Sequence, residues 1–174
     1  MIDVHGLQHV GLTVPDMGQA VRFFEGVFGA VTVMSTGPID ADDDFMVRKL
    51  GVPGNRRIRD IKVLRCGTGT NLELFEYEGE AASPIKRNSE AGGFHLAFQV
   101  PDAYAAAARL RQIGVEVLDG PTHIDAGPMQ GLDWVYLKAP WGQFLELVSM
   151  ANGPLGYEAT SGTKMWSPLG EERA

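Results

Sequence analysis

Gly6-Leu-Gln-His-Val-Gly-Leu-Thr-Val-Pro-Asp16 occurs a second time, in altered spelling, as Gly92-Gly-Phe-His-Leu-Ala-Phe-Gln-Val-Pro-Asp102. With His9 set on His95, the Val-Pro-Asp of 14–16 falls on that of 100–102 and Ala20 falls on Ala106. Gly29 and Gly114 then close the two segments within one residue of each other. A repeat of this length predicts a chain made of two copies of one supersecondary unit.

Each copy opens with residues that alternate at period two, the mark of a strand with one buried face. Val10, Leu12 and Val14 share one face in the first copy, as do Phe94, Leu96, Phe98 and Val100 in the second. The opposite faces carry His9, Gly11 and Thr13, and His95, Ala97 and Gln99. Each histidine is thus followed on its face by small or polar residues that leave room for a ligand. Asp16 and Asp102 can each cap a helix by accepting from a free backbone N–H, and Gln19 stands at the capping-box position after Asp16. Helices are expected over about 17–27 and 103–113, with Gly29 and Gly114 beyond their C-termini.

Both copies also end alike, on the shared Leu-Glu-Leu of Asn71-Leu-Glu-Leu-Phe75 and Gln143-Phe-Leu-Glu-Leu147, so Glu73 and Glu146 interrupt short apolar strands. Between start and finish, strands are expected near 30–34 and 59–66, and near 115–118 and 133–137. The predicted organisation is a first strand-helix-strand-strand-strand module over 5–77, a linker over 78–91, a second module over 92–150 and a tail over 151–174.

The formal charge of -7 argues against a nucleic-acid partner, because a polyanion is held chiefly by Lys and Arg. The chain has no apolar run approaching the roughly 20 residues that span a bilayer and opens on no basic leader, so a cytoplasmic protein without a membrane partner is expected. Its single cysteine, Cys66, can form no internal disulfide and is expected to be a buried, inert thiol.

Two modules that each open on a His-bearing strand and close on a Glu-bearing strand resemble the vicinal-oxygen-chelate superfamily. That superfamily takes in glyoxalase I, methylmalonyl-CoA epimerase, extradiol dioxygenases and the bleomycin-resistance proteins. The resemblance covers about residues 5–150. It is carried by His9-Val-Gly-Leu-Thr-Val-Pro-Asp, Gly93-Phe-His-Leu-Ala-Phe-Gln-Val and Ala139-Pro-Trp-Gly-Gln-Phe-Leu-Glu-Leu147. It implies an α+β fold in which two βαβββ modules form a shared curled-sheet cup. It also implies one divalent metal held by His9, Glu73, His95 and Glu146.

A lone His or Glu in a strand is ordinarily structural, but four at equivalent places of a repeat are not independent. Two neutral imidazoles and two carboxylates balance a divalent ion, and N/O ligation suits Zn, Ni, Co, Mn or Fe without choosing among them. Glu76 could replace Glu73 only if a bulge shifted the strand, and His5 lies nearer the frayed end. The expected chemistry is proton transfer next to a metal-chelated carbonyl of a small oxygenated substrate, in a glyoxalase-like or epimerase-like reaction, with Glu146 or Glu73 as base. Thr13, Gln99, Arg57 and Arg59 are the expected substrate contacts. Ferrous extradiol chemistry would use His9, His95 and Glu146 alone, and Glu73 is the argument against it. A noncatalytic binder of the antibiotic-resistance type is the third reading.

The span from Arg48 to Arg65 holds seven of the 15 basic residues. It reads as a solvated loop and edge strand, or else as an electropositive rim for a carboxylate, phosphate or CoA-like group. His123 and Asp125 fall in a glycine-flanked loop, 121–131, that could form a lid. Tyr157, Met165, Trp166 and Pro168 suggest a tail packed on its own subunit or on a partner, and a homodimer is expected.

Overall fold

The computed structural model describes residues 4–78, 84–150 and 153–169. The chain divides into two compact units between Pro84 and Ile85, so the tail belongs to the second unit.

The first unit runs β1 (His9–Thr13), α1 (Met17–Phe28), β2 (Val31–Ser35), α2 (Asp43–Leu50), β3 (Arg57–Arg65) and β4 (Asn71–Glu78). Its sheet has the order β1-β4-β3-β2, with β1 parallel to β4 and the other pairs antiparallel. Asp16 caps α1 by accepting from the Gln19 N–H at 2.7 Å, and Gly29 ends it with φ +63°. Phe24, Leu74 and Leu64 are fully buried, with Leu12 and Leu72 beside them. The alternation expected of β1 and β4 therefore holds: even-numbered residues face the core, and His9, Gly11, Thr13 and Glu73 face away from it.

Two expectations for the Arg-rich span fail. Arg48 and Lys49 lie in the last turn of α2, a helix that composition did not suggest because its mean character is polar and only Met46 is buried. Strand β3 pairs on both sides and is not an edge strand. Its charges are accommodated inside the sheet by local partners: Lys62 bridges Asp60 at 3.1 Å and Arg59 bridges Glu78 at 3.2 Å.

The second unit runs β5 (Leu96–Gln99), α3 (Ala103–Gln112), β6 (Glu116–Val117), β7 (Thr122–His123), β8 (Asp133–Lys138) and β9 (Phe144–Ser149), then a single 3-10 turn at Gly156–Ala159. The order is β5-β9-β8-β6, with β7 also pairing β8, so β6 and β7 form one interrupted edge. Asp102 caps α3 by accepting from the N–H groups of Tyr104 and Ala105. Val135, Leu137, Leu145 and Leu147 make the core with Ala103 and Ala107 of the helix. Phe94, expected on the buried face of the opening strand, is 44% exposed because regular pairing starts only at Leu96.

Both units are thus βαβββ modules, the first with an inserted helix and the second with a broken second strand, and the chain is α+β. Among the described residues no helix is long and apolar enough to cross a membrane.

Candidate metal centre

In the first unit the parallel ladder sets Gly11 opposite Glu73. His9, two residues earlier on the same face, is then Glu73's diagonal neighbour, and its Nε2 stands 3.3 Å from Glu73 Oε2. The Gln8 side-chain oxygen accepts from His9 Nδ1. That bond puts the ring proton on Nδ1 and turns the Nε2 lone pair toward the carboxylate.

The second unit repeats the construction residue for residue. Ala97 is opposite Glu146 in the parallel β5–β9 ladder, and His95 Nε2 stands 3.2 Å from Glu146 Oε2. This half-site is the more buried one: the side chains of His95 and Glu146 are 36% and 14% exposed, against 47% and 25% for His9 and Glu73. Burial pushes the Glu146 carboxyl above its ordinary range, and the neighbouring His95 pulls it part of the way back.

Do these residues fit a divalent ion? A neutral imidazole nitrogen facing a carboxylate oxygen repels it unless a cation, proton or metal, lies against both. Two donors held at about 2.0–2.2 Å from one ion and at right angles to each other stand about 3 Å apart, which is the spacing found in both pairs. Each half-site therefore suits adjacent positions on an ion. Among the described residues no three of His, Cys, Asp or Glu gather into one group, so each half-site is a pair.

Several groups around the pairs escaped the sequence reading. Tyr136 is the cross-strand partner of Glu146, and its ring meets that of His95 edge-on at 5.1 Å. Trp134 and Phe144 pack edge-on against the same tyrosine, making an aromatic border to this half-site. Burial and the Glu146 charge both hold the Tyr136 hydroxyl up, so it stays a donor. In the first unit Tyr77 stacks on Phe75, and its hydroxyl is raised by burial and by Glu73. The readable signal was the parity of Trp134 and Tyr136, large aromatics on the non-core face of β8. A second group pins the histidine strands: buried Gln143 donates to the Phe94 carbonyl at 2.8 Å, and Thr70 and Asn71 donate to the carbonyls of Leu7 and Gln8.

The remaining candidates are more scattered. Thr13 is exposed on the His9 face at the far end of β1. Gln99 shares the His95 face and is bonded to Ser167 of the tail at 2.9 Å. Arg57 is committed to Asp43 and to the carbonyls of Gly54 and Arg56, clamping α2 to β3, while Arg59 spans Glu76 and Glu78. Glu76 lies on the face opposite Glu73, because the bulge falls in β3 and leaves β4 regular.

His123 sits on edge strand β7 rather than in a lid. Its Nδ1 is 2.7 Å from buried Asp133, on the core face of the sheet and so opposite Glu146; Asp125 is 3.8 Å from its Nε2. A cavity of about 630 Å³ beside it is lined by His123, Gln130, Leu155, Glu158 and Lys164 among others. Cys66 is half-buried, its thiol raised by burial.

Comparison with known proteins gives the family. The family model of the Glyoxalase/Bleomycin resistance protein/Dioxygenase superfamily matches residues 6–147. A 2-epi-5-epi-valiolone epimerase from Actinomyces sp. is 45% identical over 166 residues, covering 94% of this chain and 89% of that protein. Among solved structures, a glyoxalase family protein from Bacillus cereus superposes with a TM-score of 0.68 at 16% identity, over 85% of this chain and 95% of its own. A fosfomycin resistance protein from Listeria monocytogenes does so with 0.57 at 19%, over 84% and 94%. These two likenesses speak for the fold alone. With the family model spanning both modules and both His–Glu pairs, this chain belongs to the glyoxalase/bleomycin resistance protein/dioxygenase superfamily.

Proposed function

We propose that the protein is a divalent-metal-dependent epimerase that inverts a carbon next to the carbonyl of a small oxygenated ketone, 2-epi-5-epi-valiolone or a close analogue. The observation that carries the chemistry is the His–Glu pair built twice by the same ladder geometry. The substrate class follows the relative at 45% identity, whose substrate is by its suffix a ketone and carries configured carbons at positions 2 and 5. His9, Glu73, His95 and Glu146 together would serve one ion per chain. When bound, that ion would polarise the ketone oxygen and make the neighbouring C–H more acidic.

The residues divide the remaining work. Glu146 is the base: a carboxylate whose proton affinity is raised by burial takes a carbon-bound proton more readily than an exposed one. Glu73 returns a proton to the other face, so the product differs only in configuration and the two carboxyls are reset by solvent. Tyr136, beside Glu146 and His95, donates to a substrate oxygen and excludes water from that side. If all four residues held the ion, a substrate chelated through two oxygens would leave no room for dioxygen besides, which favours proton transfer over ring cleavage.

The test is turnover of 2-epi-5-epi-valiolone in deuterated water by metal-loaded protein. One solvent deuterium should enter at the inverted carbon, and Glu146→Gln should lower kcat by about 100- to 10,000-fold. Elemental analysis should give one ion per chain, lost in both His9→Ala and Glu146→Ala. Two ions per chain, with one surviving each substitution, would separate the half-sites. Oxygen uptake with cleavage of a catechol would replace the epimerase by a dioxygenase. A homodimer is part of the same proposal, supported by edge strand β2, whose Val31 and Val33 are 63% and 65% exposed; sedimentation at micromolar concentration showing only monomer would remove it.

A further inference from the structure

We propose that the C-terminal segment 153–169 is a wall of the substrate site, in which Ser167 orients Gln99 to donate to a substrate hydroxyl and Trp166 covers the substrate ring. The inference rests on the epimerase reading for the identity of the ligand and deepens it by naming what selects that ligand.

Gln99 stands on the ligand face. It follows His95 by four residues along β5, about 13 Å at the rise of a strand, and is paired in register with Val148, two residues past Glu146 on the same side of β9. The Ser167 hydroxyl donates to Gln99 Oε1 at 2.9 Å and accepts from the Leu169 N–H at 3.3 Å. Ser167 is 5% exposed, so a polar residue near the end of the tail has been drawn down onto the strand that follows His95. With its oxygen taken by Ser167, Gln99 presents its NH2 group, a donor suited to the oxygens of a polyhydroxylated ring.

The tail is held independently of that bond. Leu155 is buried, the N–H groups of Gly156 and Tyr157 donate to the carbonyls of Gln130 and Pro128, and the Met165 N–H donates to the Tyr157 hydroxyl at 2.7 Å. Glu158 and Lys164 close the intervening loop at 3.1 Å. Ordering a segment costs about 1–2 kcal/mol of backbone entropy per residue. Core burial accounts for Leu155 but not for the stretch next to Ser167, where Met165 and Trp166 remain 47% and 73% exposed. Trp166 adjoins Ser167 in the chain and is left uncovered, so its ring is a flat apolar surface open to the C–H face of a cyclic polyol.

The tail is also shared with the epimerase relative. The superfamily model stops at residue 147. The epimerase match covers 94% of this chain, which leaves too few residues outside it to omit the whole tail of 24 residues. The tail thus lies beyond the superfamily model and is shared at least in part with the epimerase.

The experiment compares wild type, Ser167→Ala, Ser167→Thr and Trp166→Phe as metal-loaded full-length proteins, with 2-epi-5-epi-valiolone as probe. Expected are unchanged metal content and melting temperature, a rise in KM of about tenfold for Ser167→Ala, the effect of one lost hydrogen bond, a smaller change in kcat, and recovery in Ser167→Thr. Titration of the ketone should quench tryptophan fluorescence in wild type and much less in Trp166→Phe. If wild type binds the ketone with that quench but does not turn it over, the epimerase reading falls and the wall stands. Equal KM in wild type and Ser167→Ala, with equal quench in wild type and Trp166→Phe, overturns the wall while leaving the epimerase intact. A ketone that neither binds nor turns over overturns both.

Discussion

Gly93→Ala tests how the second half-site is positioned. Gly93 lies two residues before His95 and donates its N–H to the Glu90 carbonyl at 2.7 Å, against a turn that Glu90 closes on Arg87. A Cβ at residue 93 would stand 2.0 Å from the Arg87 carbonyl oxygen, whereas real Cβ contacts are essentially never under 3.0 Å, so backbone must move by about 1 Å. The obstacle is main chain, with no flexible tip to swing aside. Metal–ligand distances tolerate about 0.2 Å, so even a fraction of that displacement carried to His95 exceeds the tolerance. Metal affinity should fall about 10- to 100-fold, as when an outer-shell support is lost, and turnover by about 100-fold. Competition against a chromophoric chelator reads the first and an epimerisation assay the second. A folded Gly93→Ala protein with wild-type metal affinity and turnover would refute the reasoning, because the 87–93 turn would then have no part in placing His95.

Two further outcomes use the same protein. Gly26→Ala, in the exposed last turn of α1 where the added methyl meets nothing within 4 Å, should raise stability by about 0.5–1 kcal/mol in a thermal melt. Glu146→Gln should alter the pH dependence of the metal-free protein. Because the folded-state value is raised by burial, the wild type's contribution from this group is fully present below its ordinary 4.5 and is lost as pH rises through the raised value. The variant, lacking that loss, should gain on wild type with rising pH in metal-free melts and reach a constant advantage near neutrality. Saturating metal should reverse the order, and an advantage largest at acid pH would contradict the assignment.

The parts of this architecture that could be read from sequence are those where local chemistry repeats. Val-Pro-Asp after a period-two run predicts a strand and a capped helix in either copy, and both Asp16 and Asp102 accept the expected N–H bonds. The placement of Glu73 and Glu146 followed from the same repeat. What escaped depends on partners distant in sequence. Strand β3 reads as an edge because it carries four Arg or Lys residues, yet it is interior, since Asp60, Glu76 and Glu78 supply the counter-charges from within the sheet. Helix α2 has one buried residue and so almost no apolar stripe to detect. The role of Tyr136 depends on β8 lying beside β9, which composition cannot show. In the tail the visible hydrophobics misled: Leu155 and Ser167 are the anchors, and Trp166 is left exposed.

The duplication explains why each module carries a similar His–Glu pair and also why the two pairs can diverge. In a parallel pair, a residue on one strand and the partner of its second successor share a face, so His-x-Gly or His-x-Ala opposite Glu yields the same diagonal pair wherever the ladder is built. That rule fixes ligand spacing without any requirement on the surroundings, which each module then supplies for itself. The first module leaves His9 half open and gives it Gln8 as a hydrogen-bond acceptor, which suits a steady ligand. The second surrounds His95 and Glu146 with Tyr136, Trp134 and Phe144, and that desolvation raises the carboxyl's affinity for a proton. A carboxylate that binds protons more tightly is both a more easily displaced ligand and a stronger base, so in the epimerase we propose, unequal burial of two otherwise equivalent positions would divide the labour between Glu73 and Glu146.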